Sequence, residues 1–154
     1  MLINKDDFLK ICPTGKLLGL DLGTKNIGIA ITDDTRKIYL PSEVIKKGTN
    51  KNDWIEVKKI AESRKVKGIV IGLPMFFDGG ASKITEFVIR WSEGFAEFID
   101  LPLTYYDERL TSFEAEETMK GVGDIKKNVD SIAASYILEH FCNYIPHSNT
   151  ISHF

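Results

Sequence analysis

The sequence has little cysteine, no long apolar run and almost no net charge. Its 154 residues contain two cysteines, Cys12 and Cys142, and no CxxC pair or Cys/His cluster. We therefore expect neither a zinc site nor a disulfide framework, and we interpret both cysteines as buried thiols. No apolar stretch approaches the roughly 20 residues of a membrane helix. The charged N-terminal residues do not fit a signal peptide. These absences predict a cytoplasmic protein that binds no membrane.

The charges nearly balance: 20 Lys and Arg against 22 Asp and Glu give a net charge of −2. Bulk electrostatics therefore do not indicate a nucleic-acid-binding protein. An enzyme that gathers carboxylates around metal ions would nevertheless be acidic at its centre and could keep basic residues at its rim. The length and the 43% hydrophobic content are those of one globular domain with a sizeable core.

The chain is organised around residues 17–31. An apolar run ends in Asp21, a turn rich in Gly, Thr and Asn follows, and a second apolar run leads back. This pattern predicts two antiparallel strands with one carboxylate beside an open turn. Such a carboxylate can bind a metal or lie next to a phosphate, and it can equally be a cap for the turn.

The remaining periodicity switches from a strand meander to alternating helices and strands. It predicts strands at Lys16–Asp21, Gly28–Thr32, Lys37–Leu40 (ended by Pro41), Gly68–Leu73 and Leu103–Glu108. It predicts helices near Lys5–Ile11, at Asn52–Lys65, from an N-cap at Ser82 to about Phe98, at Thr111–Lys120 and at Val129–Tyr144, with a loop at Pro74–Gly80. The last helix is predicted to bury Val129, Ile132, Ala133, Tyr136, Ile137 and Phe141.

The element order β-β-β-α-β-α-β-α-α predicts an α/β fold. The connection rules give a mixed five-stranded sheet, antiparallel at first and then extended by right-handed crossovers, with helices on both faces. We expect residues 1–15 to be an N-terminal extension, 16–146 the domain and 147–154 a C-terminal tail.

Three acids from distant positions are candidate metal ligands: Asp21, Glu108 and Asp130. Carboxylates are the ligands that Mg²⁺ or Mn²⁺ prefers, and two such ions can activate water and stabilise the leaving oxygen in phosphodiester cleavage. Structural alternatives exist, since Asp130 can stabilise a helix N-terminus and Glu108 can pair with Arg109. The spacing alone does not establish that the three acids meet.

Four motifs follow one another along the chain. They are the run from Leu20 to Ala30, Ile69–Pro74 with Asp78-Gly79, the run Asp107-Glu108-Arg109-Leu110-Thr111-Ser112, and Lys127 with Asp130 and Ala133-Ala134. In this order they resemble the YqgF (RuvX) family of bacterial nucleases. The resemblance spans about residues 17–144. It implies a ribonuclease H-like fold and metal-dependent hydrolysis of nucleic acid, with 5′-end maturation of pre-16S rRNA favoured and Holliday-junction resolution as the other family assignment.

The resemblance also implies roles for particular residues. Asp21, Glu108 and Asp130 match the family's catalytic and metal-binding acids, for Mg²⁺ or Mn²⁺. Asp107 would help to orient them. The expected substrate-binding residues are Lys25, Arg109, Thr111, Lys126 and Lys127. Arg109 can instead form an ion pair, and a lysine cluster can be simply a solvated surface.

This chain departs from the family pattern at two places. Asn26 replaces a common arginine, and Met75-Phe76-Phe77 replaces a loop that usually carries a polar residue. Phe76 and Phe77 can stack on a base, and they can equally pack into the core or a dimer contact.

Alternative functions remain open at this level. The first is a non-catalytic RNA- or protein-binding module with a structural carboxylate cluster. The second is an ATPase related to actin and sugar kinases, although those proteins need two lobes. The predicted partner is nucleic acid, precursor rRNA or branched DNA, bound by a monomer or by a homodimer, which symmetric junction cleavage would require.

Overall fold

The computed structural model describes residues 1–76, 82–110 and 125–143, without the side chains of residues 76, 109, 110 and 125–128. In chain order its elements are α1 (Lys5–Ile11), β1 (Leu17–Leu22), β2 (Asn26–Thr32), β3 (Tyr39–Lys46), α2 (Asn50–Ser63), β4 (Gly68–Phe76), α3 (Lys83–Phe98), β5 (Leu103–Leu110) and α4 (Ile125–Asn143). The predicted helix at Thr111–Lys120 and the segment 147–154 lie outside the described residues.

The five strands form one mixed sheet in the order β3-β2-β1-β4-β5. Strand β1 pairs antiparallel with β2 and parallel with β4, while β3 adds antiparallel to β2 and β5 adds parallel to β4. The prediction of a mixed five-stranded α/β sheet is therefore confirmed. Because β1, β4 and β5 run in the same direction, their carboxyl ends lie at one edge of the sheet, where α/β proteins commonly place functional groups.

A separate hydrophobic core covers each face of the sheet. On one face α2 and α3 bury Val57, Val88, Trp91 and Phe95 against alternate strand residues. On the other face α1 and α4 pack together, and the rings of Phe8 and Phe141 meet edge to face at 5.7 Å. Because Phe8 is fully buried, the helix predicted near Lys5–Ile11 contributes to this second core.

Two prolines that were predicted to end strands lie inside them. Pro41 pairs with Ala30 within β3, next to a register shift at Ile29/Ala30. An edge strand with a bulge tolerates proline, because one side of its backbone needs no partner. Strand β4 pairs with β1 only as far as Ile71, but it continues to Phe76 along β5. Pro74 lies in this continuation and pairs with Glu108 of β5. The predicted ends at Leu40 and Leu73 were therefore wrong.

The face of α4 that was predicted to be buried was also partly wrong. Val129, Ile132 and Tyr136 are 37%, 38% and 56% exposed. Ile137 and Phe141 are buried as predicted, and the helix also buries Ser131, Ala134, Ser135 and Leu138. Both faces carry apolar residues, so periodicity alone selected the wrong one for part of the helix. Within the described segments, no helix has the length and apolar character needed to cross a membrane.

Candidate active site

Asp21 lies near the carboxyl end of β1 and faces α4. Its neighbours Leu20 and Leu22 belong to the core under α2 and α3, so the strand pleat directs Asp21 to the opposite face. Asp21 pairs across the antiparallel ladder with Gly28 of β2. The predicted position of this carboxylate, at a strand end beside the β1–β2 turn, is confirmed.

A glycine at position 28 lets α4 approach this point closely. A Cβ atom on Gly28 would lie 2.0 Å from the backbone oxygen of Asp130 and 2.3 Å from its carbonyl carbon. The backbone of α4 therefore occupies the space that any other side chain would fill. Since Gly28 is the partner of Asp21, this contact brings Asp130 beside Asp21, and the Oδ2 atom of Asp130 is buried there.

A second glycine makes room for Glu108. A Cβ atom on Gly72 would lie 2.8 Å from Oε1 of Glu108 and 2.5 Å from Cδ1 of Ile137. Glu108 therefore reaches back over β4 towards β1, under the side of α4. The adjacent residue Asp107 is exposed, and the pleat directs it to the other face, away from Glu108.

The three carboxylates interact electrostatically, with Asp21 in the middle. Burial, and then repulsion from Asp130, raises the pKa of Asp21 to about 7. Burial, and then repulsion from Asp21, raises the pKa of Glu108 to about 8. Both side chains keep some contact with solvent.

The donor set fits a hard divalent cation in its chemistry. It consists of carboxylate oxygens only, and a cation would favour the charged forms of these carboxylates, which burial and then mutual repulsion disfavour. Among the described residues, no three acidic, histidine or cysteine side chains lie close enough together to hold one ion in their present positions. Coordination would therefore require the side chains of Glu108 and Asp130 to turn towards Asp21.

The predicted substrate-binding residues are only partly within the described structure. Lys25 is exposed in the turn between β1 and β2, four residues after Asp21. Arg109 lies in β5 opposite Met75, and its side chain is outside the described residues. The side chains of Phe76 and of Lys126 and Lys127, at the start of α4, also lie outside the described residues. Thr111 and Phe77 lie outside them entirely.

Sequence reasoning missed a buried ion pair that supports the β1–β2 turn. Lys47 Nζ lies 2.6 Å from Oδ2 of Asp53, with side-chain exposures of 11% and 2%. Asp53 also accepts hydrogen bonds from Gly48 N–H at 2.9 Å and from Trp91 Nε1 at 3.3 Å. The backbone N–H of Lys47 donates to the carbonyl of Lys25 at 2.8 Å. The pair therefore connects the turn beside Asp21 to α2 and α3.

We expect Asp53→Ala to lower the free energy of unfolding by about 3–5 kcal/mol, because it leaves Lys47 buried without its counter-charge. Urea unfolding would measure the change. Glu56→Ala is the matched control, since its pair with Lys59 is exposed and 4.0 Å long, and it should shift stability by less than about 0.5 kcal/mol. Equal effects of the two variants would show that the buried pair contributes nothing.

A mixed sheet in this order, with helices on both faces, is a ribonuclease H-like fold. The comparisons agree with this class. The chain superimposes on the Thermus thermophilus RuvC structure with a TM-score of 0.53 and 13% identity, covering 86% of this chain and 96% of RuvC. The Fowlpox virus resolvase in complex with Holliday junction DNA gives 0.50 and 12%, covering 84% and 99%. At such identities the likeness concerns the fold alone.

The family model described as "RuvX: Holliday junction resolvase" matches residues 15–144. A Cereibacter sphaeroides (strain KD131) protein named "Putative pre-16S rRNA nuclease" is 34% identical over 139 residues, 87% of each chain. A Maridesulfovibrio salexigens protein of the same name is 39% identical over 128 residues, 80% of this chain and 95% of the relative. The chain belongs to the RuvX family, as its sequence motifs indicated.

Proposed function

We propose that this protein is a metal-dependent nuclease that hydrolyses phosphodiester bonds during 5′-end maturation of pre-16S rRNA. The observation that carries the proposal is the placement of the helix carboxylate Asp130 and the strand-end carboxylate Glu108 beside Asp21, next to Gly28 and Gly72, where burial and then mutual repulsion raise the pKa values of Asp21 and Glu108. An acidic cluster of this kind is costly unless a cation binds it.

In this proposal Asp21, Glu108 and Asp130 would hold Mg²⁺ or Mn²⁺. When bound, such ions supply an activated water and stabilise the leaving oxygen. The chain itself positions the carboxylates on β1, β5 and α4, and it limits solvent access by packing α4 over the sheet. The exposed Lys25 lies where it can bind a backbone phosphate next to Asp21.

The choice of precursor rRNA rests on the relatives. The proteins that share 34–39% identity with this chain over most of its length are named for pre-16S rRNA. The solved structures of RuvC and of the Fowlpox virus resolvase bound to junction DNA are only 12–13% identical to this chain, so their likeness concerns the fold alone. Junction DNA remains the alternative substrate that the experiment must include.

The decisive measurement is cleavage of a labelled RNA that carries the 16S 5′ leader, beside a four-way DNA junction. We expect Mg²⁺ or Mn²⁺ to support cleavage of the RNA, and chelator to reduce the rate at least about 100-fold, because several kcal/mol of transition-state stabilisation depend on the ion. Glu108→Gln and Asp130→Asn should each lose cleavage while retaining RNA binding.

Preferential cutting of the junction would move the assignment to junction resolution. RNA binding that persists in chelator, without cleavage of either substrate in any metal, would contradict the nuclease. It would instead favour the non-catalytic binding module with a structural carboxylate cluster.

A further inference from the structure

Three rings form a surface cluster on the same face of the sheet as the candidate active site. They are Tyr106 of β5 and Tyr136 and His140 of α4, called here the aromatic cluster. The ring centroids of Tyr136 and His140 are 6.5 Å apart with planes 12° from parallel. Those of Tyr106 and His140 are 6.0 Å apart at 53°. Tyr136 is 56% exposed, and His140 is exposed as well.

The aromatic cluster begins close to the candidate catalytic carboxylates. Tyr106 precedes Glu108 by two residues on the same face of β5, a separation of about 7 Å along the strand. Tyr106 also pairs with Gly72, the residue over which the Glu108 carboxylate lies. On α4, Tyr136 follows Asp130 by six residues, or about 9 Å of helix rise. The strand that holds Glu108 and the helix that holds Asp130 therefore also carry the three rings of the aromatic cluster.

The exposed ring of Tyr136 offers an aromatic face to solvent, and every nucleobase can stack on such a face. A base can do so only when it is unpaired. Stacking also needs no net positive charge on the protein. In a chain whose net charge is −2, we expect phosphate contacts to supply only part of the affinity for nucleic acid.

We propose that the aromatic cluster is a stacking platform for one or two unpaired bases of the strand whose backbone enters the candidate active site. The inference rests on the proposed nuclease function and narrows its substrate class to nucleic acid that is single-stranded next to the scissile bond.

The test is binding of a fluorescein-labelled 12-nucleotide single-stranded RNA, measured by anisotropy in chelator so that no cleavage occurs. We expect Tyr136→Ala to weaken binding about 5- to 100-fold, the loss that corresponds to one stacked base. Tyr136→Phe keeps the ring and should bind within about twofold of the unmodified protein. The same RNA in a duplex should show no difference among the three proteins.

Leu40→Ala is the matched control for removing an exposed apolar side chain. Leu40 is 59% exposed on β3, and it pairs with Ile31, so it lies on the face that α2 and α3 cover. This variant should bind as the unmodified protein does. Stacking releases no counterions, so the slope of log affinity against log salt should be the same with and without the Tyr136 ring.

Two further measurements separate stacking from a general structural effect. A 2-aminopurine placed near the cleavage site should be quenched on binding, and Tyr136→Ala should remove most of that quenching. In cleavage assays with metal, KM for the single-stranded substrate should rise by the factor seen in binding while kcat changes by less than about twofold.

The outcomes distinguish this inference from the proposed function. If the unmodified protein cleaves and binds the RNA and Tyr136→Ala matches it, the platform is wrong and the nuclease stands. If the unmodified protein neither binds nor cleaves nucleic acid, both are wrong. If Tyr136→Ala changes the sedimentation coefficient but not RNA affinity, the cluster is a protein–protein interface and the platform is overturned.

Discussion

Asp21→Asn should abolish cleavage and make the protein more stable. Asp21 lies between the other two carboxylates, so removing its charge removes the centre of the proposed metal site. We expect kcat to fall at least about 10³-fold, which corresponds to the several kcal/mol that metal-ion catalysis contributes. Asp34→Asn, in an exposed turn after β2, is the control and should retain full activity.

The gain in stability follows from the raised pKa values. Asp21 and Glu108 have folded-state pKa values of about 7 and 8, against about 4 in the unfolded chain. Between pH 4 and 8 the folded state therefore binds more protons than the unfolded state, so the free energy of unfolding of the metal-free protein falls as pH rises through this window.

Asp21→Asn removes the contribution of Asp21 to this decrease in the free energy of unfolding. At pH 8 in chelator, its melting temperature should exceed that of the unmodified protein by at least about 2–4 °C, which corresponds to 1 kcal/mol for a chain of this size. The difference should shrink towards pH 4, and added Mg²⁺ should stabilise only the unmodified protein. Calorimetry from pH 4 to 8 measures both effects. A less stable Asp21→Asn at pH 8 would show that Asp21 is held by favourable contacts instead of repelled by its neighbours.

Gly28→Ala should damage both the fold and the site. The new Cβ atom would meet the Asp130 backbone at 2.0 Å, and a helix backbone cannot move aside as a flexible side chain can. We expect a loss of about 1–3 kcal/mol from overpacking, and more if α4 cannot shift. A displacement of α4 would also move Asp130 from Asp21, and a shift of about 1 Å can lower the rate by about 100-fold.

Gly48→Ala provides the comparison. The nearest atom to a Cβ there is 3.8 Å away, an ordinary contact, so stability and rate should stay close to those of the unmodified protein. Urea unfolding and RNA cleavage would be measured for both variants. If Gly28→Ala behaves as Gly48→Ala does, α4 does not pack on β2 as described.

Local patterns predicted most of the fold. The alternation of apolar runs and turns placed β1, β2 and β5 to within two residues, and Ser82 does form the predicted N-cap of α3, in a capping box with Thr85. Local patterns failed where long-range pairing overrides local preference. Pro41 and Pro74 look like strand ends in the sequence, yet each lies where one side of its strand needs no backbone partner.

The candidate site was also predicted only in part from the sequence. The motifs named Asp21, Glu108 and Asp130, but sequence separation carries no information on distance. Their approach depends on Gly28 and Gly72, which leave space for the α4 backbone and for the Glu108 side chain. The buried Lys47–Asp53 pair was missed for a similar reason. Two charged residues in a lysine-rich segment are typical of solvated surface, and only the tertiary structure places Gly48 and Trp91 against Asp53.

By itself the sequence determined the strand and helix content, the family and the identity of the acids, since each of these depends on residue type and local order. Only the tertiary structure decided which face of α4 is buried. A Cβ atom on Gly19 would lie 2.9 Å from the backbone oxygen of Ala134, so the missing side chain of Gly19 lets this face of α4 lie close against β1. The same choice leaves Tyr136 in solvent beside the candidate active site, where the proposed base-stacking platform lies.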